Sequence, residues 1–151
     1  MRSTDSQCPE CGATWIDGRT CTDDFHQLLA WEWDYQLLDV HHVLVLCFHL
    51  QHPSLYGPRM LDEAVTMLIR FQDEGISPAQ MRREMAPSVD SGVRRFKIRG
   101  TPEAHGVYRH PVVWTMTVGG VVAAGPEHYS ASVRAWADSM LASLKVSGNL
   151  P

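Results

Sequence analysis

No apolar run in this sequence is long: the longest, Val43 to Phe48, covers six residues. A membrane-spanning helix needs roughly 20. The opening MRSTDSQ has one Arg followed by polar side chains, so the apolar core of a secretion signal is missing there. Positive charge is in deficit, with 13 Lys and Arg against 17 Asp and Glu and a net charge of −4. That balance removes the general electrostatic drive toward nucleic acid or an anionic membrane surface. The sequence also lacks HExxH, a P-loop, G-x-S-x-G and a dinucleotide fingerprint, and with them the common local signatures of hydrolytic, phosphoryl-transfer and redox chemistry. Internal repeats, low-complexity tracts and linker-like stretches are absent too. The expectation is a cytoplasmic protein without a membrane segment, with nucleic acid an unlikely partner.

What is present is an ordinary globular composition, 44% hydrophobic and 20% charged over 151 residues, enough for one domain with its own core. A single domain is expected over 1–151, divided into a metal-binding knuckle at 1–21 and a helical body at 22–147. Four cysteines in a reducing compartment point to a metal rather than a disulfide framework. Cys8-Pro9-Glu10-Cys11-Gly12 is the strongest local signal. Two thiolates three positions apart, on a turn tightened by Pro9 and Gly12, can face one ion, and zinc is the cation that such thiolates hold in a tetrahedron.

Beyond the knuckle, with turns expected at Pro9, Gly12 and Asp17-Gly18, the pattern becomes helical. Thr22 or Asp23 is the expected N-cap of a first helix, with Asp23 and Asp24 suited to the positive end of its dipole and Phe25, Leu28, Leu29 and Trp33 at helical spacing. A break is predicted between Asp34 and Asp39. His41 to His52 is apolar almost all round and stops at Pro53; its length favours a buried helix over a buried strand. Met60 to Asp73 reads as an amphipathic helix with Gly75 as its stop, and Ser77-Pro78 as the start of a short helix reaching about Met85. Residues 87–112, rich in Pro and Gly, are expected to form a long loop. Thr117 is placed as the cap of a weak helix through Val118, Val121 and Val122, weakened by Gly119-Gly120 at about 1 kcal/mol each. Tyr129, Val133, Trp136, Met140, Leu141 and Leu144 form the clearest stripe, a last helix ending before Gly148. The fold class is therefore all-α, a bundle of about five helices with an N-terminal zinc-knuckle segment.

Half a zinc site needs two further ligands. Cys21 leads the first helix, where free N–H groups and the dipole favour a thiolate. Cys47 sits within the most apolar stretch and is assigned to the core. If 22–35 and 40–52 pair as antiparallel helices, the start of the first lies beside the end of the second. Cys21 then meets His52, while His41 is about 16 Å away at 1.5 Å per residue. The preferred metal set is Cys8, Cys11, Cys21 and His52, with His49, His26 and His41 as alternatives for the fourth ligand. Structural Zn2+ is the expected cofactor.

Taken in order, CPECG, the helix led by Cys21, HHVLVLCFHLQHPS and the C-terminal VRAWADSM resemble the uncharacterised bacterial DUF5946 family. Its members carry a CPxCG knuckle and an H-x-L-T-V-D-x-Y-x-x-Q-H-P motif. His41, Val45, Gln51, His52 and Pro53 fall on that motif, whereas Leu46 stands where the family often has Asp and Phe48 where it has Tyr. The resemblance implies a mostly helical fold with matched positions at Cys8, Cys11, Cys21, His41 and His52. It implies no activity, and the absence of the motif Asp at Leu46 weighs against an enzymatic role shared with the family through a carboxylate there.

Three Cys and one His make a coordinatively closed site, which favours structure over catalysis. The leading expectation is a zinc-stabilised binding or adaptor domain that engages a protein or small molecule. The alternative is a metal-dependent enzyme with a pocket between helices near His41 and Glu32, which the antiparallel pairing brings level. The remaining asymmetry is the basic stretch Arg94, Arg95, Lys97 and Arg99, with Arg109 beyond it. In an acidic chain it reads more readily as a solvated edge than as a nucleic-acid surface.

Overall fold

The computed structural model describes residues 6–81, 83 and 105–150. The chain is mostly helical, as the periodicities predict. The one sheet among the described residues is an antiparallel ribbon of β1 (Ser6–Gln7) and β2 (Thr14–Trp15), with Ser6 opposite Trp15 and Gln7 opposite Thr14. This ribbon refines the expectation of a purely irregular start. CPECG closes its loop: Gly12 N–H donates to the Cys8 carbonyl at 3.0 Å and Cys8 N–H to the Ala13 carbonyl at 2.9 Å. Gly12 has φ +79°, a left-handed conformation that glycine adopts without Cβ strain. The predicted Asp17-Gly18 turn is present, both residues at positive φ and Arg19 N–H bonded to the Ile16 carbonyl at 3.0 Å.

Helix α1 spans Cys21–Tyr35, and its cap differs from the expectation. The N-cap is Thr20, not Thr22 or Asp23. Thr20 Oγ1 accepts from Asp23 N–H at 3.2 Å while Asp23 Oδ2 accepts from Thr20 N–H at 2.9 Å. The reciprocal pair satisfies two otherwise orphaned donors and moves the helix start upstream, so Cys21 becomes its first residue. The hydrogen bonds from Thr20 hold the Asp23 carboxyl below the usual range. Gln36, left-handed at φ 57°, ends α1, and a 3-10 turn at Leu38–Val40 leads into α2 (His41–Leu50). The break falls where the sequence places it.

α2 is the central helix. Val43, Leu44, Leu46, Cys47, Phe48 and Leu50 are all buried, which accounts for its nearly uniform apolar composition. It packs on α3 (Pro58–Ile69) and on the last helix. α3 starts at Pro58, two residues before the predicted Met60, because proline suits a first-turn position. It continues through a π turn at Arg70–Glu74 and stops at Gly75, φ +67°. Ser77 Oγ accepts from Gln80 N–H at 3.1 Å, so a helical turn begins at Ser77-Pro78 as expected. Its predicted end near Met85, and residues 87–104 of the predicted loop, lie outside the described residues.

α4 (Val118–Ala124) lies against α1, and α5 (Tyr129–Val146) against α2 and α4. Thr117 occupies the N-cap of α4 without a side-chain capping bond; only its carbonyl accepts, from Gly120 N–H at 3.0 Å. The α5 stripe is buried at Tyr129, Val133, Trp136, Met140 and Leu144, and Leu141 is half-buried. Residues 105–117 cross the end of α2 in an extended path. Gly106 N–H donates to the Tyr56 carbonyl at 2.7 Å and Gln51 Nε2 to the Met116 carbonyl at 2.7 Å, and Tyr108 Oη donates to the Leu50 carbonyl.

The Thr20 cap is testable. Replacing Thr20 by Ala is expected to cost about 1 kcal/mol in chemical denaturation, while Thr22→Ala changes stability much less. The reverse order would return the helix start to the residue first predicted.

Candidate metal centre

Three elements deliver four donors to one point. The knuckle loop supplies Cys8 and Cys11, α1 supplies its first residue, Cys21, and the turn after α2 supplies His52, two residues past the helix. All four are buried, and their ligand atoms lie within 4.8 Å of one another. Sγ of Cys11 and Sγ of Cys21 are 3.5 Å apart. That is far longer than the ~2.05 Å of a disulfide, and close to the ~3.8 Å edge of a tetrahedron with 2.3 Å metal–sulfur bonds. The cysteines are free thiols.

The donor chemistry fits a metal. His52 Nδ1–H donates to the Phe48 carbonyl at 2.6 Å, which fixes the tautomer and leaves Nε2 as the atom with a lone pair. Nε2 is buried and has no hydrogen-bond partner. A buried imidazole nitrogen left bare costs free energy unless something occupies it, and a backbone-anchored histidine is the usual form of a metal ligand. On the sulfur side, Trp15 Nε1–H donates to Cys21 Sγ at 3.3 Å and the Cys11 backbone N–H to Cys8 Sγ at 3.5 Å. The contact with Cys11 pulls the Cys21 thiol well below its ordinary pKa, with His52 and Trp15 adding to it against the effect of burial. The same contact, together with burial, pushes Cys11 up. In His52, burial opposes the charged ring, but the Cys21 and Phe48 contacts outweigh it and raise its pKa. The opposite shifts of Cys11 and Cys21 come from one shared contact between two sulfurs 3.5 Å apart.

The preferred four residues are therefore brought together, and the alternatives are not. His49 turns its Nδ1 to the Val45 carbonyl at 2.9 Å and its ring onto Tyr56, with centroids 5.2 Å apart. Burial lowers its pKa. His26 is exposed on α1. His41 lies at the far end of α2, bonded through Nδ1 to Glu32 Oε1 at 2.7 Å, which is the Glu–His contact expected from the pairing. Cys47 is fully buried in the core, where desolvation drives its thiol pKa up. Of the basic stretch, Arg94, Arg95, Lys97 and Arg99 lie outside the described residues, and Arg109 is exposed.

Sequence reasoning missed four supports. Trp15 as a donor to sulfur has no local signature. Glu10, inside the knuckle, accepts from Ser54 N–H at 2.9 Å and from Ser54 Oγ at 2.8 Å, clamping CPECG to the turn that carries His52. Gln51 is fully buried and tied to Met116, so the residue before His52 is held as well. Tyr129 Oη donates to Glu32 Oε2 at 2.6 Å from the other end of the chain. The alternation of Glu10 with two cysteines was the one available hint.

The model of a family described as a family of unknown function (DUF5946) matches residues 6–145. No curated protein and no solved structure matches the chain.

Loss of the Glu10 clamp gives a prediction. Glu10→Ala removes two hydrogen bonds to Ser54 and should lower stability by about 1 kcal/mol, a fall of about 3 °C in melting temperature at this chain length. The metal-loaded protein should also release its ion faster to a chelator. Unchanged release would mean that the clamp does not hold His52 in place.

Proposed function

Because the chain belongs to the DUF5946 family, whose function is unknown, we propose a role from the geometry itself: a zinc-stabilised helical binding or adaptor domain of a bacterial cytosol. The observation that carries the metal is the bare, buried Nε2 of His52 facing three buried cysteine sulfurs. Three sulfurs and one nitrogen match the tetrahedral preference of zinc and leave no position for a water, so the ion serves as a cross-link rather than a catalyst. Four free cysteines suit a compartment in which thiols stay reduced.

The cross-link has a defined mechanical effect. The ribbon β1–β2 is too short to be stable alone, and its attachments to the helices are the four donors, the Glu10–Ser54 clamp and the Trp15–Cys21 bond. Metal binding would therefore fasten the N-terminal segment, the start of α1 and the turn after α2 in one step, with its free energy entering directly as folding free energy. Large apolar side chains left in water near the end of α1, Trp33 at 76% exposure with Tyr35 and Leu38 beyond it, support the binding reading, since exposed aromatic groups of this kind mark contact surfaces. The metal-dependent enzyme would need its ion beside His41. The thiolate cluster instead sits about three turns of α2 away from it.

Elemental analysis of natively purified protein tests the proposal. About one zinc per chain is expected, lost in Cys21→Ser and in His52→Ala with a marked fall in thermal stability, and retained in Cys47→Ser. Protein that carries no metal and melts identically with and without chelator would refute it. Zinc retained in His52→Ala would move the fourth ligand elsewhere.

A further inference from the structure

A second polar constellation lies at the opposite end of the α1–α2 pair. Glu32 is 2% exposed and both of its carboxylate oxygens are taken: Oε1 by His41 Nδ1 at 2.7 Å and Oε2 by the Tyr129 hydroxyl at 2.6 Å. Tyr129 is itself 1% exposed, and burial together with Glu32 holds its hydroxyl in the protonated, donating form. A carboxylate withdrawn from water in this way costs free energy, and an apolar replacement of similar volume is often neutral or stabilising. The Tyr129–Glu32–His41 chain does not end in the core. It ends at an imidazole whose side chain is 40% exposed and which lines a cleft of about 210 Å³ between α2 and α3.

The cleft has a definite chemical character. Its walls are apolar and soft, with Met60, Met67 and Phe71 among them, and its polar lining consists of the imidazoles of His41, His42 and His49 and the Tyr56 hydroxyl, which burial keeps protonated. Among the described residues that line it there is no Asp or Glu. Glu32 stands behind His41 with both of its oxygens already bonded, so it does not compete for Nε2. With Nδ1 fixed by Glu32, Nε2 is the ring nitrogen His41 has left to offer. His42 packs parallel to Phe71, with centroids 6.3 Å apart and 7° between planes, and stands edge-on to His41 at 5.5 Å. An apolar cavity of ~150 Å³ accepts a benzene ring, so this volume suits one ring or a short branched chain with a single polar head.

We propose that the cleft between α2 and α3 binds a small apolar carboxylic acid, its carboxylate seated on His41 Nε2 and its hydrocarbon body against Met60, Met67 and Phe71. Glu32 and Tyr129 are positioning residues: they hold the His41 ring through its Nδ1 and do not touch the ligand. The residues involved are separate from the thiolate cluster, so this site and the zinc reading stand or fall independently.

The test is an amide-detected NMR titration of the full-length, metal-loaded chain, with benzoate and hexanoate as probes and benzamide and hexanamide as neutral counterparts. Saturable shifts are expected at Val45, Met60 and Met67 with the acids, and binding about tenfold weaker or more for the amides, the usual value of a hydrogen bond to a charged group. Met67→Trp, which fills the cleft, should abolish binding. Glu32→Gln should weaken the acids while leaving the amides unchanged; His41→Gln, at a half-exposed position, makes the same test if Glu32→Gln does not fold. Equal affinity for acid and amide, no saturable shift with either acid, or acid binding that survives in a folded Met67→Trp protein would overturn the proposal. Metal content measured on the same samples separates this outcome from any failure of the zinc site.

Discussion

The register between α1 and α2 is the constraint on which the rest of this structure depends. The two helices run in opposite directions, and three contacts mark their alignment: Cys21 beside His52 at one end, Phe25 stacked on Phe48 in the middle with centroids 4.2 Å apart, and Glu32 bonded to His41 at the other. A slip of one residue would rotate each of these side chains by about 100° around its helix and break all three. The stacked Phe25–Phe48 pair is the apolar contact that fixes the register, since ring pairs of this kind add to the area they bury. The thiolate cluster and the Glu32–His41 pair are two consequences of that one alignment.

Each end then recruits a distant part of the chain. At the Cys21 end the recruit is the N-terminal ribbon, brought in by Glu10 and Trp15 and, in the proposed metal state, by Cys8 and Cys11. At the Glu32 end it is α5, through Tyr129. At the Cys21 end as well, residues 105–117 are strapped across the terminus of α2 by Gln51 and Tyr108. The polar groups that α2 and its following turn bury are therefore satisfied by segments that must already be in place, a dependence that makes the assembly cooperative. Nε2 of His52 and Oε1 of Gln51 differ, because no protein hydrogen bond completes either of them.

How much of this was legible in the sequence follows from the range of each interaction. The helices could be read because their signals recur within a few residues: the Tyr129 to Leu144 stripe, Gly75 as a stop, Pro53 closing the α2 segment. The Cys21–His52 pairing could be read too, because a short connection between two helices forces antiparallel neighbours and makes the geometry one-dimensional. Thr20 was missed by a small margin, since Thr20 and Thr22 are chemically equal and only the reciprocal bond from Asp23 selects between them. Glu10 to Ser54, Gln51 to Met116 and Tyr129 to Glu32 span 44, 65 and 97 residues. No periodicity encodes such pairs; they exist only once the helices have packed.

The same reasoning gives a physical sense to two departures from the motif that the α2 segment resembles. Leu46, where that motif has Asp, is buried and lines the cleft beside α3. An Asp there would add a negative charge to a cleft that three imidazoles line. Phe48, where the motif has Tyr, is buried between Phe25 and the His52 ring, 4.4 Å away, and a hydroxyl in that sandwich would need a partner of its own. Both residues are apolar and buried, Phe48 against the ring of His52 itself. His41, His42 and His49 are the polar side chains on the cleft side of a helix that otherwise presents apolar ones there. In the proposed complex His41 would choose the ligand by its head group at one point, and the apolar wall would choose it by shape elsewhere.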